Sequence, residues 1–420
     1  MNKGDALLSA EKVRPITSKM AVFFLILMAG SYVINAMDRQ VFPVLLSRVM
    51  NAYGFNLQEA GLLSTVFTVG LGLAGIPTGY LLDRSSRKTV MVIGTIVYSV
   101  FTILTILAMG YLDMLFYRAM TGIGEGMQNA ALFAAAGSYF YRQRTLVLGV
   151  LNVAFGLGGF LGPYLGTKLT LFSGTWQTPF IAYGVVGLVV AFVVWAVLPK
   201  AFTDSRGPMT KEESHVDSNS AEGVPGKLWN RNVILCAVTG VVIGFSMFGY
   251  IGLYPTFLIQ QLQYPPMVAA LGLSIYGIGC MMAIPVGYVG DRFSQRRLLI
   301  LANVGTMVVS YLMFNVFIES WQQNVLSFFQ GIFISACLFV NGYALIQRCV
   351  RPEMIGRASG IFVTSVFLPS STSGYIFASL VGYFGWGGAA SILLSVCPLI
   401  GIIALMLMKD DQIMTARPER

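Results

Sequence analysis

Charged residues are scarce in this chain: they make up 11% of its 420 residues, whereas soluble proteins carry about 25%. Hydrophobic residues account for 56%. So few charges cannot cover a surface that faces water, which excludes a soluble enzyme or binding domain. Apolar stretches of about 20 residues, enough to cross a hydrocarbon core, recur along nearly the whole chain. The composition predicts a polytopic membrane protein, whose first apolar run is expected to be a retained helix rather than a signal peptide.

Histidine and cysteine are also rare. The one histidine, His215, lies in a polar segment, and the five cysteines are scattered through the second half without the spacing of metal ligands. The sequence contains no G-x-S-x-G and no His-Glu-x-x-His motif. We therefore expect neither an enzyme nor a metal or organic cofactor.

Twelve apolar segments with helical periodicity occupy residues 20–46, 59–82, 88–109, 112–138, 145–171, 178–198, 231–259, 267–290, 297–318, 322–347, 358–383 and 387–408. The sequence thus predicts an all-α polytopic membrane protein with twelve transmembrane helices in two pseudo-symmetric six-helix bundles, 20–198 and 231–408. The polar stretch 199–230 is predicted to be a cytoplasmic linker, and 1–19 and 409–420 are predicted to be cytoplasmic tails.

Basic residues determine the predicted orientation. Of the 27 lysines and arginines, 23 fall near the two chain ends, in the linker or in alternate loops, whereas the opposite loops contain only Arg48 and Lys168. By the positive-inside rule, both termini and the linker are expected to be cytoplasmic. The net charge of +9 then reflects topology, so nucleic acid is not an expected partner. We expect a monomer in a bacterial inner membrane, with membrane lipids and a small-molecule substrate as partners.

Two nine-residue segments, 76–84 and 284–292, are near copies of each other, and each ends an apolar run and precedes a basic pair. Such a duplication indicates two similar halves with a substrate site between them. A carboxylate at this turn can hold basic residues or backbone N–H groups in one conformation and release them in another. The alternative is a helix-ending aspartate beside a positive anchor. Because the segment is duplicated, we interpret it as a conformational switch that comprises Gly79, Asp83, Arg84, Arg87, Lys88, Asp291 and Arg292.

The first copy resembles the signature between the second and third helices of the major facilitator superfamily, which has a glycine, an aspartate-arginine pair and a downstream basic pair. The second copy is degenerate, and Ser86 and Ser294 stand where the family usually has a glycine. The resemblance extends over the chain through the six-plus-six topology and the central linker. It implies a transporter that works by alternating access.

Four ionisable residues lie within the predicted helices, all in the first half: Asp38, Arg39, Arg118 and Glu125. Burying such a group in a membrane helix costs about 2.5 to 3.5 kcal/mol, so four of them need a reason. Arg118 and Glu125 are separated by nearly two turns and project to one face of their helix, about 10 Å apart. One interpretation is a salt-bridge network that only fixes the first helix to the fourth.

The other interpretation is a proton site. Burial disfavours the charged form of a carboxyl group, and protonation weakens its pairing with arginine. Glu125 is the first candidate for the proton carrier and Asp38 the second. Arg118 is predicted to pair with Glu125 when the glutamate is ionised and with an anionic substrate when it is protonated, which would couple the two fluxes.

These residues also narrow the resemblance. An aspartate-arginine pair in the first helix, with an arginine and a G-x-G-E stretch in the fourth, is similar to spinster-like transporters and to anion:cation symporters, although Gly126 stands where alanine is common. In spinster-like members the corresponding aspartate, arginine and glutamate form a proton-coupling network, which the resemblance carries onto Asp38, Arg118 and Glu125. A spinster-like relation implies amphipathic or lipid-like substrates. An anion-symporter relation implies sugar acids or other small carboxylates.

The candidate residues of the second half are neutral. Tyr250 and Tyr254 are spaced i,i+4 in the seventh predicted helix, and each such residue alone also fits helix packing. Neutral hydrogen-bonding groups beside aromatic rings suit the hydroxyls or apolar body of a ligand. The predicted substrate site comprises Asn35, Arg39, Arg118, Tyr250, Tyr254, Tyr276, Gln330 and Asn341.

Together these features predict proton-coupled symport of a small organic anion or other small metabolite, with the proton as coupling ion. A glycine-rich stretch around Gly158, Gly162 and Pro163 resembles a motif of drug antiporters, so proton-coupled export of amphipathic or lipid-like compounds is the alternative. Small-residue helix packing also explains that stretch. A membrane receptor or nutrient sensor with a transporter-like fold is the alternative from another class, and binding without flux would identify it.

Overall fold

The computed structural model describes residues 17–140, 144–204, 225–292, 294–351 and 354–414, and within these ranges it is helical with no strand. The first six long helices are α1 (Ser18–Tyr53), α2 (Leu57–Thr65 continued by Phe67–Arg84), α3 (Arg87–Leu104), α4 (Tyr111–Tyr139), α5 (Arg144–Ser173) and α6 (Thr178–Val197). The next six are α7 (Arg231–Gln260), α8 (Pro266–Met281 continued by Ala283–Arg292), α9 (Gln295–Asn315), α10 (Ser320–Arg348), α11 (Ile355–Ser370 continued by 373–384) and α12 (386–406).

Nine stretches of the described residues are long and apolar enough to cross a membrane. They account for ten helices, because the stretch Ile355–Met406 contains both α11 and α12. The other two are α4, which carries Arg118 and Glu125, and α8, which is divided at Met282. The helices therefore agree in number and order with the twelve predicted from the sequence.

Helix ends follow local sequence signals. Gly54 ends α1 with φ 71°, a left-handed conformation that suits glycine. Asn56 and Glu59 form a capping box that starts α2. Gly385, with φ 68°, separates α11 from α12. Short loops of this kind allow consecutive helices to run antiparallel beside one another.

The helices of each half pack mainly on one another. In the first half α1 packs on α5, α4 packs on α2 and α3, and α6 packs on α3; in the second half α7 packs on α11, α8 on α10 and α9 on α12. Two seams join the halves: α5 lies along α8, and α2 lies along α11, with α1 and α7 in contact between them. We call the end of the bundle where α1 begins the terminal end, and the opposite end the distal end.

Backbone contact closes the distal end of the α2/α11 seam. A Cβ on Gly61 would lie 2.7 Å from the carbonyl carbon of Gly374, which is too close for any side chain. Near the terminal end of α2, a Cβ on Gly79 would meet nothing within 4 Å. This seam is therefore tight at the distal end, whereas α2 has no close neighbour at Gly79 near the terminal end.

The glycines of α5 also serve packing. A Cβ on Gly156 would lie 2.6 Å from the carbonyl oxygen of Gly277 in α8, and one on Gly162 would lie 2.6 Å from the carbonyl oxygen of Met37 in α1. Close helix contact thus explains the glycine pattern that resembles an antiporter motif.

Three of the four seam helices are interrupted. In α8 the break at Met282 precedes Pro285, which has no N–H for the helical ladder. In α11 the hydroxyls of Ser371 and Thr372 donate to carbonyl oxygens three residues earlier, at 2.7 and 2.9 Å, in competition with backbone bonds. The break in α2 falls at Val66, and α5 is continuous from Arg144 to Ser173. A further departure from the prediction is a π-helical segment, Gly331–Phe339, within α10.

The turn between α2 and α3 is well organised. Ser86 caps α3, since its hydroxyl accepts from the N–H of Thr89 at 3.2 Å. The N–H of Arg87 donates to Asp204 at 2.8 Å, which ties the start of α3 to the segment after α6. The predicted switch stays a prediction, because the structure does not describe the side chains of Asp83, Asp291 and Arg292. Residues 205–224, most of the predicted linker, also lie outside the described residues.

Candidate functional site

Buried polar side chains collect between α1, α3 and α4. They are Ser31, Asn35, Asp38 and Arg39 of α1, and Arg118, Glu125 and Gln128 of α4, each at most 4% exposed. Charged groups at such depth require partners, because desolvation penalises an unpaired charge.

Arg39 and Glu125 form the central ion pair. The Nε of Arg39 donates to Oε2 of Glu125 at 3.0 Å, which joins α1 to α4. The guanidinium carbon of Arg39 also lies 5.6 Å from the centre of the Phe155 ring in α5. The sequence prediction that Arg118 pairs with Glu125 is not met in this conformation, because α1 passes close enough to α4 for Arg39 to take that place.

A relay of amide groups supports this pair. The Nη2 of Arg39 donates to Oδ1 of Asn35 at 2.9 Å, and Nδ2 of Asn35 donates to Oε1 of Gln128 at 2.7 Å. Gln128 in turn donates to the hydroxyl of Ser31 at 3.3 Å. Gln128 therefore orients the amide of Asn35 so that its oxygen faces Arg39. The sequence analysis missed Gln128, although it lies one helical turn beyond Glu125 on the same face.

Asp38 lies on a different side of α1 from Arg39. Its Oδ2 accepts from the hydroxyl of Thr102 in α3 at 2.7 Å. Its other oxygen, Oδ1, has no hydrogen-bond partner among the described residues. The carboxyl group is therefore half satisfied, which leaves one oxygen available to a proton or another donor.

Arg118 is fully buried and stacked on aromatic rings. Its guanidinium carbon lies 4.5 Å from the ring centre of Phe42 and 5.4 Å from that of Phe67. Its three nitrogens have no hydrogen-bond partner within the described part of the chain. Gly122 allows this arrangement, because a Cβ there would lie 2.7 Å from the carbonyl carbon of Phe67 and keep α2 away from α4. A guanidinium whose donors are all unused is suited to bind an anion.

Aromatic rings connect Arg118 to the second half. The ring of Phe67 lies 5.7 Å from that of Phe248 in α7, which lies 5.7 Å from that of Phe367 in α11. The basic group of the first half thus borders an apolar wall contributed by both halves.

The three tyrosines predicted for the substrate site form one cluster. Tyr250 stacks on Tyr254 at 4.7 Å and lies 5.4 Å from Tyr276. The hydroxyl of Tyr250 lies 2.8 Å from the hydroxyl of Ser327, and that of Tyr254 donates to Gln323 at 3.0 Å, both on α10. The hydroxyls of Tyr250 and Tyr254 are therefore engaged within the second half, whereas the buried hydroxyl of Tyr276 has no hydrogen-bond partner among the described residues.

Gln330 and Asn341 are not brought together with the charged residues. Gln330 donates to the hydroxyl of Ser310 on α9 at 2.9 Å, and Asn341 donates to the carbonyl oxygen of Cys337 on its own helix at 3.0 Å. Both amides lie on α10, which packs on α7, α8 and α9. Their contacts are those of helix packing.

Charged groups of both signs meet in the site. It contains the guanidinium groups of Arg39 and Arg118 and the carboxyl groups of Asp38 and Glu125. Of these, Arg39 and Glu125 form an ion pair. Among the described residues no group of three or more histidine, cysteine, aspartate or glutamate side chains is placed to hold a metal ion.

Comparison with known proteins identifies the fold and the family. The sequence profile of the Major Facilitator Superfamily matches residues 28–285 and 236–419. The chain is 26% identical over 283 residues to a hexuronate transporter of Bacillus subtilis, an alignment that covers 65% of this chain and 62% of the relative. It is 24% identical over 406 residues to the cis,cis-muconate transport protein of Acinetobacter baylyi, covering 92% and 94% of the two chains.

A solved structure has the same fold. The structure of a bacterial homologue of the human lysosomal transporter spinster, in an inward-facing and occupied conformation, superposes with a TM-score of 0.71 at 16% identity, covering 92% of this chain and 95% of the other. The twelve helices, the two seams and the family match agree with one another. The chain therefore belongs to the Major Facilitator Superfamily.

Proposed function

We propose that this transporter is a proton-coupled symporter of a small organic anion. The observation that carries the proposal is Arg118, a fully buried guanidinium with no described hydrogen-bond partner, beside an ion pair that a proton would break. A substrate carboxylate would satisfy the donors of Arg118 in a planar, two-pronged geometry.

The relatives support an organic acid as the substrate class. One is a transporter of hexuronates and another a transport protein for cis,cis-muconate, and both of these substrates are carboxylates. The phenyl rings of Phe42 and Phe67 flank the proposed anion site. Carboxylates with a flat or apolar body therefore suit this chain better than strongly hydroxylated ones.

In this proposal, proton and substrate transport are coupled because Glu125 and the substrate anion compete for Arg39. When Glu125 takes up a proton, its ion pair with Arg39 weakens, while Asn35 still accepts from the guanidinium. Arg39 and Arg118 then attract the substrate anion together, so proton and substrate are loaded together. Asp38 is the second proton site in this scheme, because one of its oxygens has no described partner.

Alternating access would then move the halves 20–198 and 231–408 against each other across the two seams. By the positive-inside rule the terminal end of the α2/α11 seam faces the cytoplasm. We place the protein in the inner membrane of a bacterium as a monomer, with both termini cytoplasmic.

Uptake into proteoliposomes tests the coupling. With an inward-directed proton gradient the wild-type protein should accumulate a radiolabelled organic acid, and Glu125→Gln should lose accumulation but keep exchange of substrate across the membrane. Asp411→Asn, an exposed acid remote from the site, is the matched control and should accumulate normally. Full gradient-driven uptake by Glu125→Gln would overturn the assignment, and binding without flux in the wild-type protein would indicate a sensor instead.

A thermal-shift screen tests the substrate class. Aromatic acids, muconate-like acids, sugar acids, neutral sugars and lysolipids are compared on the purified protein, because a ligand stabilises the state that it binds. Stabilisation by carboxylates that Arg118→Gln abolishes would support the proposal. Stabilisation by lysolipids alone would favour the export of amphipathic compounds.

A further inference from the structure

A groove runs between α3 and α6 on the outer surface of the first half, near the terminal end. Its volume is about 580 Å³. It is lined by Lys88, Thr89, Val92, Ile93, Ile96, Leu188, Ala191, Phe192, Trp195 and Lys200. Apart from its two lysines and one threonine the lining is hydrophobic, which suits a hydrocarbon chain rather than water.

The two lysines stand at one end of this groove. Lys88 lies in the first turn of α3, and Lys200 follows directly after α6. Neither forms an ion pair with another described residue. The nearby Asp204 instead directs a carboxylate oxygen to the backbone N–H of Arg87 at 2.8 Å. Within the described part of the chain, the two ammonium groups therefore have no carboxylate partner.

The second half provides an internal comparison. Arg296, at the start of α9, is paired with Asp410 at 2.8 Å. Arg296 of the second half therefore has a carboxylate partner, whereas neither lysine of the α3/α6 groove has one among the described residues.

We propose that the α3/α6 groove is a binding site for an anionic phospholipid. The acyl chain lies along Ile93 and Ile96, and the phosphate contacts Lys88 and Lys200. Trp195, which is 61% exposed, lies at the level of the headgroups, where its ring has one apolar and one polar side. The lipid belongs to the leaflet at the terminal end of the bundle.

Charge complementarity selects this occupant. Basic side chains at the membrane surface attract acidic headgroups, and each lysine is expected to contribute roughly a fivefold preference. A zwitterionic lipid fills the same groove with its chains, but the lysines add little to its binding free energy.

Tryptophan quenching by brominated lipids tests the site on the full-length protein in lipid nanodiscs. The signal of Trp195 is isolated as the difference between the wild-type protein and Trp195→Phe. Brominated phosphatidylglycerol should quench this signal at a several-fold lower mole fraction than brominated phosphatidylcholine with the same chains. Lys88→Gln combined with Lys200→Gln should remove the preference, whereas Lys168→Gln, an exposed lysine near the distal end, should retain it.

Two further measurements separate the contribution of the lipid headgroup from that of the acyl chain. Ile93→Phe, at a position that is 42% exposed, narrows the groove without adding a tryptophan and should reduce quenching by both lipids without a change of charge. Inorganic phosphate and glycerophosphate should not displace the brominated lipid. Equal quenching by the two lipids in the wild-type protein, or a preference that survives loss of both lysines, would overturn the proposal.

Discussion

Substitution of Gly61 by alanine should shift the protein away from the conformation that is closed at the distal end. In this conformation a Cβ on Gly61 would lie 2.7 Å from the carbonyl carbon of Gly374, whereas ordinary contact begins at 3.4 Å. The helices α2 and α11 must therefore separate by most of an ångström at this point. Separation also weakens the hydrogen bond from the hydroxyl of Thr65 to the carbonyl oxygen of Ser371, now 2.6 Å.

The expected size of the shift follows from these two contacts. Overpacking of a tight interface costs about 1 to 3 kcal/mol, and loss of one hydrogen bond about 1 kcal/mol. A total of about 3 kcal/mol corresponds to roughly a hundredfold change in the ratio of closed to open molecules. An open conformation that is rare in the wild-type protein would become well populated.

Cysteine labelling measures this change. Ser64, which is 1% exposed beside the distal seam, is replaced by cysteine, and a water-soluble maleimide is added to the purified protein. The chain without this cysteine gives the background of the five native cysteines. Labelling should be many-fold faster in the Gly61→Ala background.

Gly75→Ala is the matched control, because a Cβ there meets nothing within 4 Å although the residue lies on the same helix. The two substitutions have the same effect on helix propensity, so a difference in labelling rate between them measures the effect of the close contact between α2 and α11. Equal labelling rates in the Gly61→Ala and Gly75→Ala backgrounds would refute the reasoning.

Three more outcomes follow from the charged site. Gln128→Leu should leave the amide of Asn35 without its acceptor and shift the pH dependence of exchange, and an unchanged pH profile would show that Gln128 does not position the site. Arg118→Lys keeps the charge but loses the planar fork, so the KM for uptake should rise about tenfold or more while the maximal rate changes less; a wild-type KM would remove Arg118 from the substrate site. Arg39→Gln and Glu125→Gln should each destabilise the protein by up to about 3 to 5 kcal/mol, with the double variant losing less than the sum, and strictly additive losses in thermal unfolding would argue against the ion pair.

The sequence identified the charged residues of the site because an ionisable group within a membrane helix is conspicuous. It did not identify their pairing. Arg118 and Glu125 share a helix face, but nearly two turns separate them, whereas Arg39 reaches Glu125 from the neighbouring helix at 3.0 Å. Pairing across helices depends on which helices are neighbours and how closely they pack, and the sequence of one helix states neither.

The neutral residues were harder to assign. Gln128 and Gln330 are both buried glutamines in membrane helices, yet one supports the ion pair and the other bonds to Ser310 on α9. Periodicity places each on a helix face but does not say which helix that face meets. Interruptions of the helices also differ in how well the sequence predicts them. Pro285 indicates the one in α8, whereas no proline lies at Val66 in α2.

The seam helices differ in continuity, since α5 is unbroken and α8 and α11 are interrupted, and this difference affects how the bundle can change shape. A break lets the two pieces of one helix change their mutual angle without loss of a full ladder of hydrogen bonds. The pieces of α8 and of α11 can therefore change their mutual angle at Met282 and at Ser371–Thr372, while the uninterrupted α5 moves as one piece. In the proposed transport cycle, one end of the bundle can therefore open by local bending of α11 against α2, without a rigid tilt of an entire half.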